Sequence, residues 1–134
     1  MSRTDGAGGG QPDLVLVVDD EPTLGEHIAY ELTLHGHRAL HTADYAEALR
    51  MVLTVHPRVV VLDQIVESQE SSAFLRRLDA LIEHSPWVVL LRYERGPTGP
   101  FRNLRVTVVG GEEWFDELPP IVRRIAPSTM TLTA

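Results

Sequence analysis

A chain of 134 residues with 43% hydrophobic and 23% charged content suits one globular domain with a single core. The formal charge of −7 argues against a surface that binds nucleic acid directly, because phosphate binding needs clustered basic residues. There is no cysteine, which excludes disulfides and thiolate metal sites. No apolar run approaches membrane-spanning length, and the N-terminus lacks a charged-then-apolar signal, so a soluble cytoplasmic protein without membrane contact is expected.

Residues 1–12 hold three consecutive glycines and a proline, which predicts a disordered lead-in before a domain over 13–126 and a short tail over 127–134. The run Leu-Val-Leu-Val-Val-Asp at 14–19 reads as a strand buried on both faces. Leu24, Ile28 and Leu32 then form one stripe of a helix over 22–35, closed by Gly36. Arg38 to His41 is a short strand, Asp44 with Glu47 suggests a capping box before a helix carrying Ala48, Leu49, Val52 and Leu53, and Pro57 leads into a strand at 58–62. The serines at 71–72 are expected to cap a helix with Phe74, Leu75, Leu78, Leu81 and Ile82 inward. Strands follow at 87–91 and 105–109, and a last helix at 115–125 has Pro119–Pro120 near its first turn. Strands alternating with helical segments imply an α/β fold built from βαβ units, a doubly wound five-stranded parallel sheet. The segment 92–104 carries Gly-Pro breakers and no helical period, so the fourth helix is expected to be absent or reduced to a turn.

Two strand-like runs end in carboxylates: Val-Val-Asp-Asp-Glu-Pro at 17–22 and Val-Val-Val-Leu-Asp at 59–63. In open α/β sheets the functional crevice lies at the carboxyl ends of the strands, so Asp19, Asp20 and Asp63 share a pocket if those strands are neighbours. Crowded carboxylates favour a hard, oxygen-preferring cation. In these motifs and their order, the chain resembles the receiver domains of two-component response regulators. The resemblance covers residues 13–126 and implies the receiver (flavodoxin-like) strand order 2-1-3-4-5. It further implies that Asp63 accepts a phosphoryl group from a histidine kinase. Asp20 and Asp63, with Asp19 behind and the backbone carbonyl of Ile65, would hold Mg²⁺. The alternative is that Asp20 merely caps the first helix and Asp63 merely ends a strand.

The second half departs from the family. Its strand-four hydroxyl falls on Leu91, its strand-five lysine on Val109 or Gly110, and its switch aromatic near Val106 or Thr107. All twelve basic residues are arginine, so the lysine is absent wherever the strand is drawn. Glu67 and Ser68 replace the usual proline and glycine after the acceptor. Arg92 stands where the family has a small residue. It is a candidate counter-ion to Asp63 or Asp20, a substitute for the lysine or a plug, the alternative being a solvated arginine.

Six histidines are scattered without ligand spacing, which argues against a designed metal site. Trp87, Trp114 and Phe115 read as core or rim, the last two also as a face for a partner. No nucleophile–base pair or cofactor motif suggests an enzyme. The leading expectation is an atypical, phosphorylation-independent protein-interaction module. The alternatives are a working Mg²⁺-dependent switch at Asp63 or, last, a small-molecule site at the sheet edge. Expected partners are a histidine kinase or another signalling protein, with homodimerisation left open.

Overall fold

The computed structural model describes residues 11–65, 67–93 and 101–127. Five strands, β1 (Gln11–Val18), β2 (Arg38–Thr42), β3 (Pro57–Asp63), β4 (Trp87–Arg92) and β5 (Arg105–Gly110), form one parallel sheet in the order β2-β1-β3-β4-β5. Among the described residues four α-helices accompany them: α1 (Pro22–Leu34), α2 (Tyr45–Val55), α3 (Gln69–Asp79) and α4 (Trp114–Ile125). The expected fold class and strand order are those observed.

Alternation along the strands divides the core in two. Val15, Val17, Val59, Val61, Val89, Leu91 and Val109 face α1 and α4, where they meet Ile28, Leu32, Trp114, Leu118 and Val122. Leu16, Val18, Val60, Leu62, Val88 and Leu90 face α2 and α3, against Ala48, Val52, Phe74, Leu75 and Leu78. Each such side chain contributes roughly 1.5–3 kcal/mol on burial, which is why β1, β3 and β4 are apolar throughout. The same alternation decides which way each residue at the strand ends points.

Several boundaries differ from the sequence expectation. β1 begins at Gln11, which pairs with Pro57 beyond a register irregularity, so the last two residues of the predicted lead-in belong to the sheet. Residues 1–10 and 128–134 lie outside the described residues. The N-cap of α3 is Ser68, not Ser71 or Ser72, because Ser68 and Ser71 satisfy one another's amides in a capping box. That helix stops at Asp79, and Ile82 is 90% exposed instead of inward. Asp44 Oδ1 caps α2 through the amides of Ala46 and Glu47, but the Glu47 carboxylate accepts from the Thr42 hydroxyl, so the expected box is only half formed. Pro119 and Pro120, expected near the first turn of the last helix, sit inside α4 in the turn that follows its first. Their fixed φ suits a helix, and the helix continues at the loss of two amide donors.

The described residues between β4 and β5 carry no helix, and residues 94–100 of that connection lie outside the description. Its second half is tied to the end of α3. The Asp79 carboxylate accepts from the amides of Arg102 (3.0 Å), Asn103 (2.8 Å) and Leu104 (3.0 Å), and Asn103 Nδ2 donates to the Asp79 carbonyl (2.9 Å). This seats Phe101 and Leu104 on the α3 side of the sheet. The amides of Arg102 and Asn103 hold the Asp79 carboxyl below its ordinary range. Its stabilising effect is therefore present at neutral pH and is lost as pH falls through that depressed value. Asp79→Ala is expected to lower the melting temperature at pH 7, with the gap to wild type closing in strong acid, as differential scanning calorimetry would show. Among the described residues no helix is long and apolar enough to cross a membrane.

Candidate functional site: the carboxylate pocket

β1 and β3 are hydrogen-bonded neighbours in register from Val15↔Val59 to Val18↔Leu62, so the acids that follow them meet at one edge. Asp19 continues the phase of Val15 and Val17 and is fully buried. Its amide donates to the Thr42 carbonyl at 3.1 Å, and its Oδ1 accepts from the Glu21 amide at 2.9 Å. Its buried Oδ2 has no hydrogen-bond partner. Asp20 beside it is exposed. The N-cap of α1 is Glu21, whose Oε1 accepts from the Leu24 amide at 2.8 Å, so Asp20 is not spent on capping that helix. Asp63 closes β3 half-buried, with its Oδ1 held by the Ile65 amide at 2.8 Å.

The electrostatics record the crowding. Burial pushes the Asp19 carboxyl up to about 8, the Asp63 carboxyl facing it adds to the rise, the Glu21 amide opposes it, and the charges of Asp63 and Asp20 add further. Tyr45, at the start of α2, overlooks the same acids. Burial raises its phenol to about 12, with the negative charges of Asp20, Asp63 and Asp19 contributing.

Facing the acids, the sheet presents hydrocarbon. Leu91 pairs with Asp63 across β3–β4 and Val109 pairs with Leu91 across β4–β5; both are buried in the core. Gly110 ends β5, Val106 packs on the α2/α3 side, and the Thr107 hydroxyl accepts from Trp87 Nε1 at 3.0 Å. Arg105 lies over the Trp87 ring, 4.9 Å from its centroid.

Arg92 turns elsewhere than expected. Asp63 shares the phase of Val59 and Val61, whereas Arg92 shares that of Val88 and Leu90 and therefore points to the opposite, α3 side. Its described partners are Gln64 Oε1, 3.1 Å from Nε, and Glu67 Oε2, 3.7 Å from a terminal nitrogen, in place of Asp63 or Asp20.

The histidines are dispersed. His27 packs edge-on against Trp114 at 5.1 Å, His35 Nδ1 meets the Glu31 carbonyl at 2.9 Å, and His56 stacks on His84 at 4.0 Å. Phe115 is half exposed beside Trp114. Among the described residues no three His, Asp or Glu side chains gather closely enough to hold a metal ion on their own.

Comparison with known proteins completes the picture. No family model matches the chain. The "Probable transcriptional regulatory protein TcrX" of Mycobacterium tuberculosis is 36% identical over 78 residues, 58% of this chain but only 32% of that protein, so the match spans about a third of its length. The Francisella response regulator 1452 receiver domain superposes with a TM-score of 0.71 at 20% identity, covering 85% of this chain and 96% of that domain. The chain has the receiver fold. The signal receiver domain of a histidine kinase from Syntrophus aciditrophicus gives a TM-score of 0.68 at 20% identity, covering 91% of this chain and 99% of that one. The pseudo-receiver domain of CikA gives 0.60 at 16%, covering 86% and 98%.

On this receiver fold three residues matter that the sequence reading passed over: Tyr45, Gln64 and Gly25. Gly25 lets the His41 ring lie against α1, so that His41 Nε2 reaches the Asp19 carbonyl at 3.3 Å. A Cβ at position 25 would stand 2.1 Å from that nitrogen. Gly25→Ala is therefore expected to displace the imidazole and lower stability by about 1–2 kcal/mol, overpacking outweighing the gain in helix propensity. His41→Ala in the same chain should restore most of that loss in a double-mutant cycle followed by urea unfolding.

Proposed function

We propose that this chain is an atypical receiver of the two-component type, acting as a protein-interaction module whose working conformation does not depend on phosphorylation. The observation that carries this reading is the pairing of Asp63 with Leu91, and of Leu91 with Val109. A phosphoryl group on Asp63 would add negative charge where buried hydrocarbon offers neither donor nor cation. The partners consistent with this reading are signalling proteins, including a histidine kinase.

A second reading, a Mg²⁺-dependent aspartyl-phosphate switch, is favoured by the unpartnered Oδ2 of Asp19 and the crowding that raises its carboxyl. The donor set fits a hard cation: Asp20 and Asp63 would hold it with the Ile65 carbonyl and water, Asp19 standing behind. When bound, Mg²⁺ supplies charge neutralisation for phosphoryl oxygens. Asp63 is the nucleophile in that reading, its Oδ1 held by the Ile65 amide.

Intact-mass spectrometry after incubation with phosphoramidate, with and without Mg²⁺ and with Asp63→Asn as control, separates the two. The module reading expects no adduct, or an adduct that leaves partner binding unchanged. A Mg²⁺-dependent adduct that alters partner binding, both effects absent in Asp63→Asn, establishes the switch.

A further inference from the structure

The residue after Asp63 is a glutamine that the carboxylate pocket does not use. Gln64 and Ser71 are both buried, which is unfavourable for an amide and a hydroxyl unless their polar atoms are bonded. Here they are. Gln64 Nε2 donates to Ser71 Oγ at 3.1 Å, and Gln64 Oε1 accepts from Arg92 Nε at 3.1 Å. Ser71 Oγ in turn donates to the Ser68 carbonyl at 3.1 Å and accepts from the Ser68 amide at 3.2 Å. The Gln64 amide donates to the Leu91 carbonyl at 2.9 Å. Outside this buried chain, Glu67 Oε2 stands 3.7 Å from Arg92 and accepts from the Ser72 hydroxyl at 3.4 Å.

We propose that Arg92, Gln64 and Ser71 form a latch that fixes the tip of β4 to the first turn of α3, so that a change of charge at Asp63 is not relayed to β4 and β5. This deepens the module reading and rests on it. A relay from this edge needs β4 and the β3–α3 connection to have two discrete arrangements. Sliding one past the other by an ångström would break the chain of bonds at a buried amide and a buried hydroxyl, whose polar atoms are costly to leave unpaired. Strand alternation supports the assignment: Gln64 and Arg92 share the α3 side, away from Asp63, so the latch closes whatever the state of the acids.

Hydrogen exchange on the full chain tests it, using Gln64→Leu, which keeps the volume, and Arg92→Met, which keeps the stem and leaves the buried glutamine in place should the first variant fail to fold. A latch predicts that each variant speeds exchange about tenfold or more at both ends, in the amides of Gln64 and Ser72, while β1 is unchanged. Acceleration confined to the substituted residue's own segment, or none, overturns the proposal. Repeating the measurement with phosphoramidate and Mg²⁺ separates the two readings. Any adduct on the wild-type chain should leave exchange in 87–92 and 105–110 unchanged. Faster or slower exchange there in wild type shows that the relay operates and the latch does not hold. Adduct formation, read from mass, reports separately on the acid pocket.

Discussion

Asp19→Asn is expected to stabilise the protein in a chelator-treated buffer at pH 7, by about 2–4 kcal/mol. The Asp19 carboxyl is fully buried and its folded-state pKa is raised to about 8, by burial first and by Asp63 second, from an ordinary value of 3.8. A group raised in this way favours the fold fully below its unfolded pKa, and that contribution is lost as pH rises through the folded one. The wild-type protein should therefore lose stability between about pH 4 and pH 8 through this residue. Asparagine retains the oxygen that accepts from the Glu21 amide, and its amino group gives the Asp63 carboxylate a donor in place of a second acid. The advantage of the variant should shrink toward pH 4. Urea unfolding across that range checks both sign and slope. Millimolar Mg²⁺ should raise the wild-type melting temperature at pH 7.5 and raise that of the variant less, since the repulsion the cation relieves has already been removed.

The fold was legible because its signals are strong and local. Apolar runs at 14–18, 59–62 and 87–91 admit few arrangements, and the stripe Leu24, Ile28, Leu32 lies on the buried side of α1. The order of the acids also survives folding, since a parallel sheet brings strand ends to one edge. What sequence could not reach are relations across the chain. Whether Arg92 meets Asp63 or Gln64 depends on the phase of β4 relative to β3, and that phase is fixed by which valines enter which half of the core. Counting the alternation back from Arg92 to Val88, and from Asp63 to Val59, was the signal available. Nothing near Gln64 in sequence shows that Ser71 closes over it. The end of α3 was misplaced for a related reason: Asp79 is engaged by amides more than twenty residues away, and no helical period reports that.

Placing a hydroxyl at position 91 should weaken the protein. Leu91 is fully buried among Val61, Val89, Val109 and the helices of the α1/α4 side. Leu91→Thr removes buried hydrocarbon, leaves a partial cavity and inserts a hydroxyl, and is expected to lower stability by about 2–4 kcal/mol in urea unfolding at pH 7. Leu91→Val, which changes volume without adding a polar group, should lose about half as much. The contrast separates packing from polarity. If both substitutions lose the same amount, the hydroxyl has found its partner at Asp63 and the leucine serves only to fill space. If threonine loses clearly more, the pocket has no room for a donor beside the acid, and the chain has committed this strand end to the core. That commitment would explain why Val109 is buried hydrocarbon too: a lysine there, reaching toward Asp63, would have to cross the same packed layer that Leu91 completes.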